Sequence, residues 1–173
     1  MRCFRIVAVA VALLFTISTL AQQHPASQAK ANPGLEKMKS LVGDWEGSAN
    51  EGGQTFPVAA KITVVSGGSV VMQDLAPGTD HEMITMIHAD GADLLATHYC
   101  SAHNQPRMKL VPSKDANALL FDFKDGTNIG PNDGHMQSVK FIFVDDNTHY
   151  EDWSYIDHGK VSTRRFEFHR RKA

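Results

Sequence analysis

The feature that most constrains the fold is a series of ten short apolar runs, each separated from the next by turn residues. Glycine, asparagine and aspartate recur between the runs, for example at Asp90-Gly91 and Asp125-Gly126, and these residues tolerate the positive φ angles of hairpin turns. The predicted strands cover residues 44–50, 57–65, 69–75, 81–89, 93–100, 107–111, 118–124, 135–144, 148–156 and 160–170. Because no helical pattern interrupts them, the strands predict an antiparallel meander.

A meander of this many strands usually closes on itself, because closure removes the unpaired strand edges. The sequence therefore predicts an all-β fold, an up-and-down antiparallel β-barrel of about ten strands. A sandwich of two sheets is the alternative architecture.

One short helix is predicted immediately before the first strand. Leu35 and Met38 recur at helical spacing. Asn32 is a favourable N-cap residue, and Pro33 suits the first helical position. We therefore expect a helix that begins at Pro33 and ends before Gly43.

The first 21 residues have the pattern of a secretory signal peptide. Two arginines are followed by a mostly apolar run over residues 6–20 and by small residues before position 22. The predicted organisation is a signal peptide over 1–21, a flexible leader over 22–32 and a barrel domain over 33–173. We expect an exported protein, periplasmic or extracellular, that does not insert into the membrane after cleavage.

Charge and cysteine content narrow the possible partners. The chain carries 17 basic and 19 acidic residues, which does not suit a nucleic-acid partner, since such proteins favour a basic face. Cys3 would leave with the signal peptide, so Cys100 would remain as the one cysteine of the mature chain. We therefore expect no internal disulfide, and a role for Cys100 as a small buried apolar residue.

The start of the first strand carries a Gly-x-Trp-x-Gly pattern, formed by Gly43, Trp45 and Gly47. Gly43 allows a sharp turn from helix to strand, and Trp45 could act as a structural plug at one end of a barrel. This start resembles that of lipocalin-like (calycin) barrels. The number of strands is closer to fatty-acid-binding and nitrobindin-like barrels than to the eight-stranded lipocalins.

The mature chain as a whole resembles an uncharacterised bacterial family of secreted lipocalin-like domains. Members carry a similar Gly-x-Trp start, a His-Tyr-Cys stretch, here residues 98–100, and an Asn-Gln-Pro-Arg-Met stretch, here residues 104–108. That family has no settled function, so the resemblance implies a fold and export only.

In calycins an arginine of the last strand commonly stacks on this tryptophan. The resemblance therefore implies a partner for Trp45 among Arg164 and Arg165, which point to opposite faces of a strand. Of the two, we expect Arg165 to be that partner, with a cation–π contact of roughly 0.5–2 kcal/mol.

The stretch 97–110 contains one cysteine, two histidines, an arginine and a lysine. We interpret it as two strands joined by a turn, whose side chains shape a pocket. The expected ligand contacts are His98, Arg107 and Trp153, and the expected partner is a small, partly apolar molecule. No cofactor, catalytic residue or metal ligand is predicted, because no recognisable ligand spacing is present.

Three alternatives remain open at this stage. An enzyme could use His98 with Glu151 or Asp152 for general acid–base chemistry. Nitrobindin-like barrels bind haem through a histidine, and His158 and His169 are candidates by position; a metal could instead use His149, Glu151 and His98. Finally, a barrel with a filled interior would serve a structural role.

Overall fold

The structure is a computed structural model that describes residues 31–51 and 53–172. The predicted signal peptide over 1–21 and most of the predicted leader lie outside the described residues.

Ten strands form one closed antiparallel barrel in which neighbours along the chain are neighbours in the sheet. The first and last strands, β1 and β10, pair with each other and close it. The strands are β1 (Gly43–Glu51), β2 (Gln54–Val65), β3 (Val70–Leu75), β4 (Met83–Asp90), β5 (Asp93–Tyr99), β6 (Gln105–Val111), β7 (Ala118–Thr127), β8 (His135–Asp145), β9 (Thr148–Asp157) and β10 (Lys160–Arg170). The predicted up-and-down barrel is confirmed, and the two-sheet sandwich is wrong.

One short helix, α1 (Pro33–Lys39), precedes β1. The side chain of Asn32 accepts hydrogen bonds from the backbone N–H groups of Gly34 and Leu35, as predicted for its N-cap. The Asn32 amide also donates to the Ala92 and Asp93 carbonyls in the β4–β5 turn, at 3.3 and 3.0 Å. These bonds hold α1 across one end of the barrel, which we call the helix end.

The helix ends at Lys39, and a turn over residues 40–42 leads to Gly43. Within the described part of the chain, no helix is both long enough and apolar enough to cross a lipid bilayer.

The two ends of the barrel are packed differently. The turns that follow β2, β4, β6 and β8 lie at the helix end, and the turns that follow the odd-numbered strands lie at the opposite end, which we call the mouth. Large buried side chains fill the interior towards the helix end, among them Trp45, Phe121, Phe141 and Phe168. The residues nearer the mouth leave a cavity.

Trp45 lies at the helix end and is almost completely buried. Its indole Nε1 donates a hydrogen bond of 2.8 Å to the Leu41 carbonyl, which ties β1 to the turn after α1. The ring also meets His149 edge-on, with ring centroids 4.3 Å apart.

The arginine that stacks on Trp45 is Arg170, and the predicted partner Arg165 is wrong. The Arg170 guanidinium carbon lies 4.3 Å from the Trp45 ring centroid. Phe166 and Phe168 are buried, so the even-numbered residues of β10 face inward. Arg165 therefore faces outward, where it pairs with Asp152 at 2.7 Å.

Arg170 also explains the glycine of the Gly-x-Trp pattern. Its guanidinium donates to the Val42 and Ser40 carbonyls, at 2.6 and 3.2 Å. A Cβ at Gly43 would lie only 2.4 Å from the Arg170 Nη1, and the φ of Gly43 is +148°. Any other residue at this position would push the arginine out of its place.

Candidate functional site

A cavity of about 480 Å³ lies in the mouth half of the barrel. Its buried wall consists of Leu75, His98, Trp153 and Phe166. Its rim, where the cavity meets solvent, includes the exposed residues Asn50, Ser162 and Thr163. Arg164 also lines the cavity; it is partly buried and lies opposite Trp153 in the strand register. The cavity is thus largely apolar and aromatic inside, with one buried histidine and one arginine, and polar at its rim.

His98 reaches the cavity because side chains alternate between the two faces of β5, and His98 lies on the inward face. It is fully buried, and it lies directly opposite Thr85 of β4 in the strand register. The Thr85 hydroxyl is 2.9 Å from the His98 Nδ1. The imidazole also lies against Trp153, with ring centroids 4.7 Å apart. These two contacts fix the orientation of the ring.

The second ring nitrogen of His98, Nε2, is buried without a hydrogen-bond partner among the described residues. Burial lowers the pKa of His98 to about 4, so the imidazole is neutral near neutral pH. A neutral imidazole offers Nε2 either as an N–H donor or as an acceptor, depending on the tautomer that Thr85 selects. A buried polar atom of this kind normally has a partner.

Behind the cavity wall lies a buried carboxyl group, that of Glu151 on β9. One of its oxygens accepts from the Gln73 amide at 2.6 Å and lies 2.9 Å from the His149 Nε2. The other accepts from the Trp153 indole Nε1 at 2.9 Å. Glu151 therefore fixes the indole N–H of the ring that lies against His98. His149, Glu151 and Trp153 share the inward face of β9 because strands alternate with a period of two.

Two of the three predicted ligand contacts, His98 and Trp153, lie together on the cavity wall. Arg107 does not, and its predicted place in the pocket is corrected. Pro106 and Met108 are buried on either side of it, so Arg107 faces outward and pairs with Asp125. The register of the β6–β7 pair also shifts between Arg107 and Met108.

The residues behind the alternative interpretations are not brought together at the cavity. Asp152 faces outward in its ion pair with Arg165, and Glu151 bonds to Trp153 rather than to His98. His158 and His169 are exposed, and neither lines the cavity. Among the described residues, no group of three or more His, Cys, Asp or Glu side chains is placed to hold a metal ion.

Cys100 is partly exposed rather than fully buried as expected. It follows β5, and its backbone N–H donates to the Asn104 carbonyl across the turn to β6.

Sequence reasoning missed several residues of the site. Thr85 gives no local signal, because its role depends on the register between β4 and β5. Arg164, the other sequence candidate for the contact with Trp45, lines the cavity instead. For Glu151 the sequence does contain a signal: it shares a strand face with His149 and Trp153, and an acid on an inward face must find hydrogen-bond donors inside the barrel.

Comparison with known proteins supports the fold. No family model matches the chain, and no curated protein matches it. The fold resembles that of Rv2717c from M. tuberculosis, with a TM-score of 0.54 and 12% identity over 81% of this chain and 98% of that chain. It also resembles a protein of unknown function from the DUF3598 family of Nostoc punctiforme PCC 73102, with a TM-score of 0.54 and 14% identity over 78% of this chain.

The present chain spans about half, 48%, of the length of the Nostoc protein. At these identities the likeness shows a shared barrel fold. The chain is thus a ten-stranded barrel whose structural neighbours include a protein of unknown function.

Proposed function

We propose that this protein is an exported barrel that binds a small, partly apolar molecule in the cavity beside His98. The observation that carries the proposal is the His98 Nε2, a buried polar atom that has no partner in the described part of the chain and lies on the wall of a cavity of about 480 Å³. Ligand sites are typically apolar concavities of this size with a few placed polar groups.

The distribution of side chains supports this function over a purely structural role. The helix end of the barrel is filled with aromatic and aliphatic side chains, whereas the mouth half is hollow. Leu75, Trp153 and Phe166 supply apolar surface for the body of a ligand, and His98 supplies one hydrogen bond. The polar rim allows the ligand to enter from solvent.

A titration with the neutral fluorescent dye N-phenyl-1-naphthylamine tests the proposal. We expect the dye to gain fluorescence with the wild-type protein and to lose it on addition of a competing ligand. Met83→Trp should abolish this signal, because Met83 lines the cavity and a larger side chain would fill it.

The matched control is Met86→Trp on the same strand. Thr85 and Ile87 are buried, so Met86 lies on the outer wall, and its replacement should leave dye binding unchanged. Dye binding that survives Met83→Trp, or that is lost equally in both variants, would contradict binding in this cavity.

A further inference from the structure

The residues of the cavity wall indicate the chemical class of the ligand. This inference rests on the proposed binding function. We propose that the cavity selects an apolar molecule bearing an uncharged hydroxyl or carbonyl group, which it binds with that group at the His98 Nε2. A carboxylate is disfavoured at the same place.

The first support is the hydrogen-bonding state of His98. Its Nδ1 is engaged by Thr85 at 2.9 Å, so only Nε2 remains for a ligand. A hydroxyl group can donate to or accept from either tautomer of the ring, and a carbonyl accepts from the tautomer that carries the proton on Nε2. One uncharged group therefore satisfies the buried nitrogen completely.

The second support is the uncharged state of His98. The low pKa of His98, about 4, which follows from burial, keeps the imidazole uncharged. Among the described residues that line the cavity, the charged side chain is Arg164, which is partly buried and lies opposite Trp153 in the strand register. A carboxylate placed at the His98 Nε2 would lose its hydration beside an uncharged imidazole, which is unfavourable.

The third support is the carboxyl group behind the wall. Glu151 accepts from the Trp153 Nε1 at 2.9 Å, and the Trp153 ring packs against His98. The indole N–H of the wall is thus already engaged by Glu151. The His98 Nε2 is therefore the buried polar atom that this part of the wall offers to a ligand.

The test compares three probes with one carbon skeleton: biphenyl, 4-phenylphenol and biphenyl-4-carboxylate, each titrated by calorimetry at neutral pH. We expect 4-phenylphenol to bind roughly three- to tenfold more tightly than biphenyl, as one net hydrogen bond would give. We expect it to bind at least about tenfold more tightly than the carboxylate, because the carboxylate must be desolvated beside an uncharged imidazole.

The His98→Leu variant should bring the ratio between 4-phenylphenol and biphenyl to about one, because the hydrogen bond is then lost for both probes. The matched control is His169→Leu, which removes an exposed histidine near the helix end and should leave the ratio unchanged. If His98→Leu fails to fold, the ranking of the three probes on the wild-type protein still decides.

The outcomes separate this inference from the proposed function. If biphenyl-4-carboxylate binds as tightly as 4-phenylphenol, or if the phenol gains nothing over biphenyl, the inference is overturned while binding in the cavity stands. If Met83→Trp leaves the binding of these probes unchanged, the cavity itself is the wrong site, and both proposals fall.

Discussion

At the scale of single residues, the interior of this barrel contains a carboxyl group that an apolar core would not tolerate alone. Glu151 is completely buried; it accepts hydrogen bonds from Gln73 and Trp153 and lies within hydrogen-bond distance of the His149 Nε2, at 2.6–2.9 Å. Removing the carboxyl group would leave these side chains without a hydrogen-bond partner, and each buried polar group left in this way costs about 1–3 kcal/mol.

We therefore predict that Glu151→Leu lowers the free energy of unfolding by about 3–5 kcal/mol, as breaking a buried polar cluster does. The matched control is Asp152→Leu, one residue along the same strand but on its outer face. Its ion pair with Arg165 is partly exposed, so we expect a loss of about 0–1 kcal/mol. Urea unfolding measures both values, and equal losses would contradict the cluster's role.

A second prediction at this scale concerns pH. The pKa of His98 falls from 6.5 to about 4 on folding because of burial, so between these values the unfolded chain binds a proton at His98 that the folded chain does not. The free energy of unfolding therefore decreases as the pH falls from about 6.5 towards 4, by up to about 3 kcal/mol from this residue.

Urea unfolding at about pH 7 and about pH 4.5 checks this prediction, because His98→Leu removes the contribution of this residue while the other titrating groups remain. The wild-type protein should lose more stability than the variant on acidification. The prediction fails if the two proteins lose the same amount.

At the scale of elements, the closure of the barrel depends on a junction of α1, β1 and β10. Arg170 stacks on Trp45 and donates to the Ser40 and Val42 carbonyls of the turn after α1. A third bond, to the Asp146 carbonyl at 2.8 Å, reaches the β8–β9 turn. One guanidinium thus joins the last strand to two other segments at the helix end.

We predict that Arg170→Lys lowers the free energy of unfolding by about 1–2 kcal/mol, because a lysine cannot reproduce the stacked, forked contacts. Arg165→Lys should cost only about 0–1 kcal/mol, since its ion pair is on the surface. Chemical unfolding of the two variants compares them directly, and a larger loss for Arg165→Lys would mean that the junction is not centred on Arg170.

The junction also shows which features a sequence can predict. Strand positions and turns were predictable, because a period of two and glycine-containing turns are local signals. The same period, in Phe166 and Phe168, indicates that the even-numbered residues of β10 face inward, so Arg165 was misplaced against a local signal. That Arg170 meets Trp45 could not be predicted, since it depends on the register between β1 and β10. Arg107 was misplaced for a similar reason: a register shift between Arg107 and Met108 and the burial of its neighbours are properties of the assembled sheet.

At the scale of the whole molecule, the barrel interior has a packed half, which contributes stability, and a half with a cavity, which we propose binds a ligand. The helix end is filled by large side chains around Trp45, and the mouth half holds the cavity around His98. The Glu151 cluster lies between them, because His149 meets Trp45 on one side and Trp153 meets His98 on the other. His98 and Trp153 could be proposed from the sequence, but the register that gives His98 its partner Thr85 could not.

The measurement that tests this division most directly is a ¹H–¹⁵N correlation spectrum of the protein titrated with 4-phenylphenol. The sequence has two tryptophans, so two indole N–H signals are expected, and a Trp45→Phe variant assigns them. We predict that the Trp153 signal, from the cavity wall, moves with increasing concentration of 4-phenylphenol while the Trp45 signal at the helix end stays nearly fixed. A probe that binds and moves the Trp45 signal, leaving the Trp153 signal in place, would contradict the proposed site.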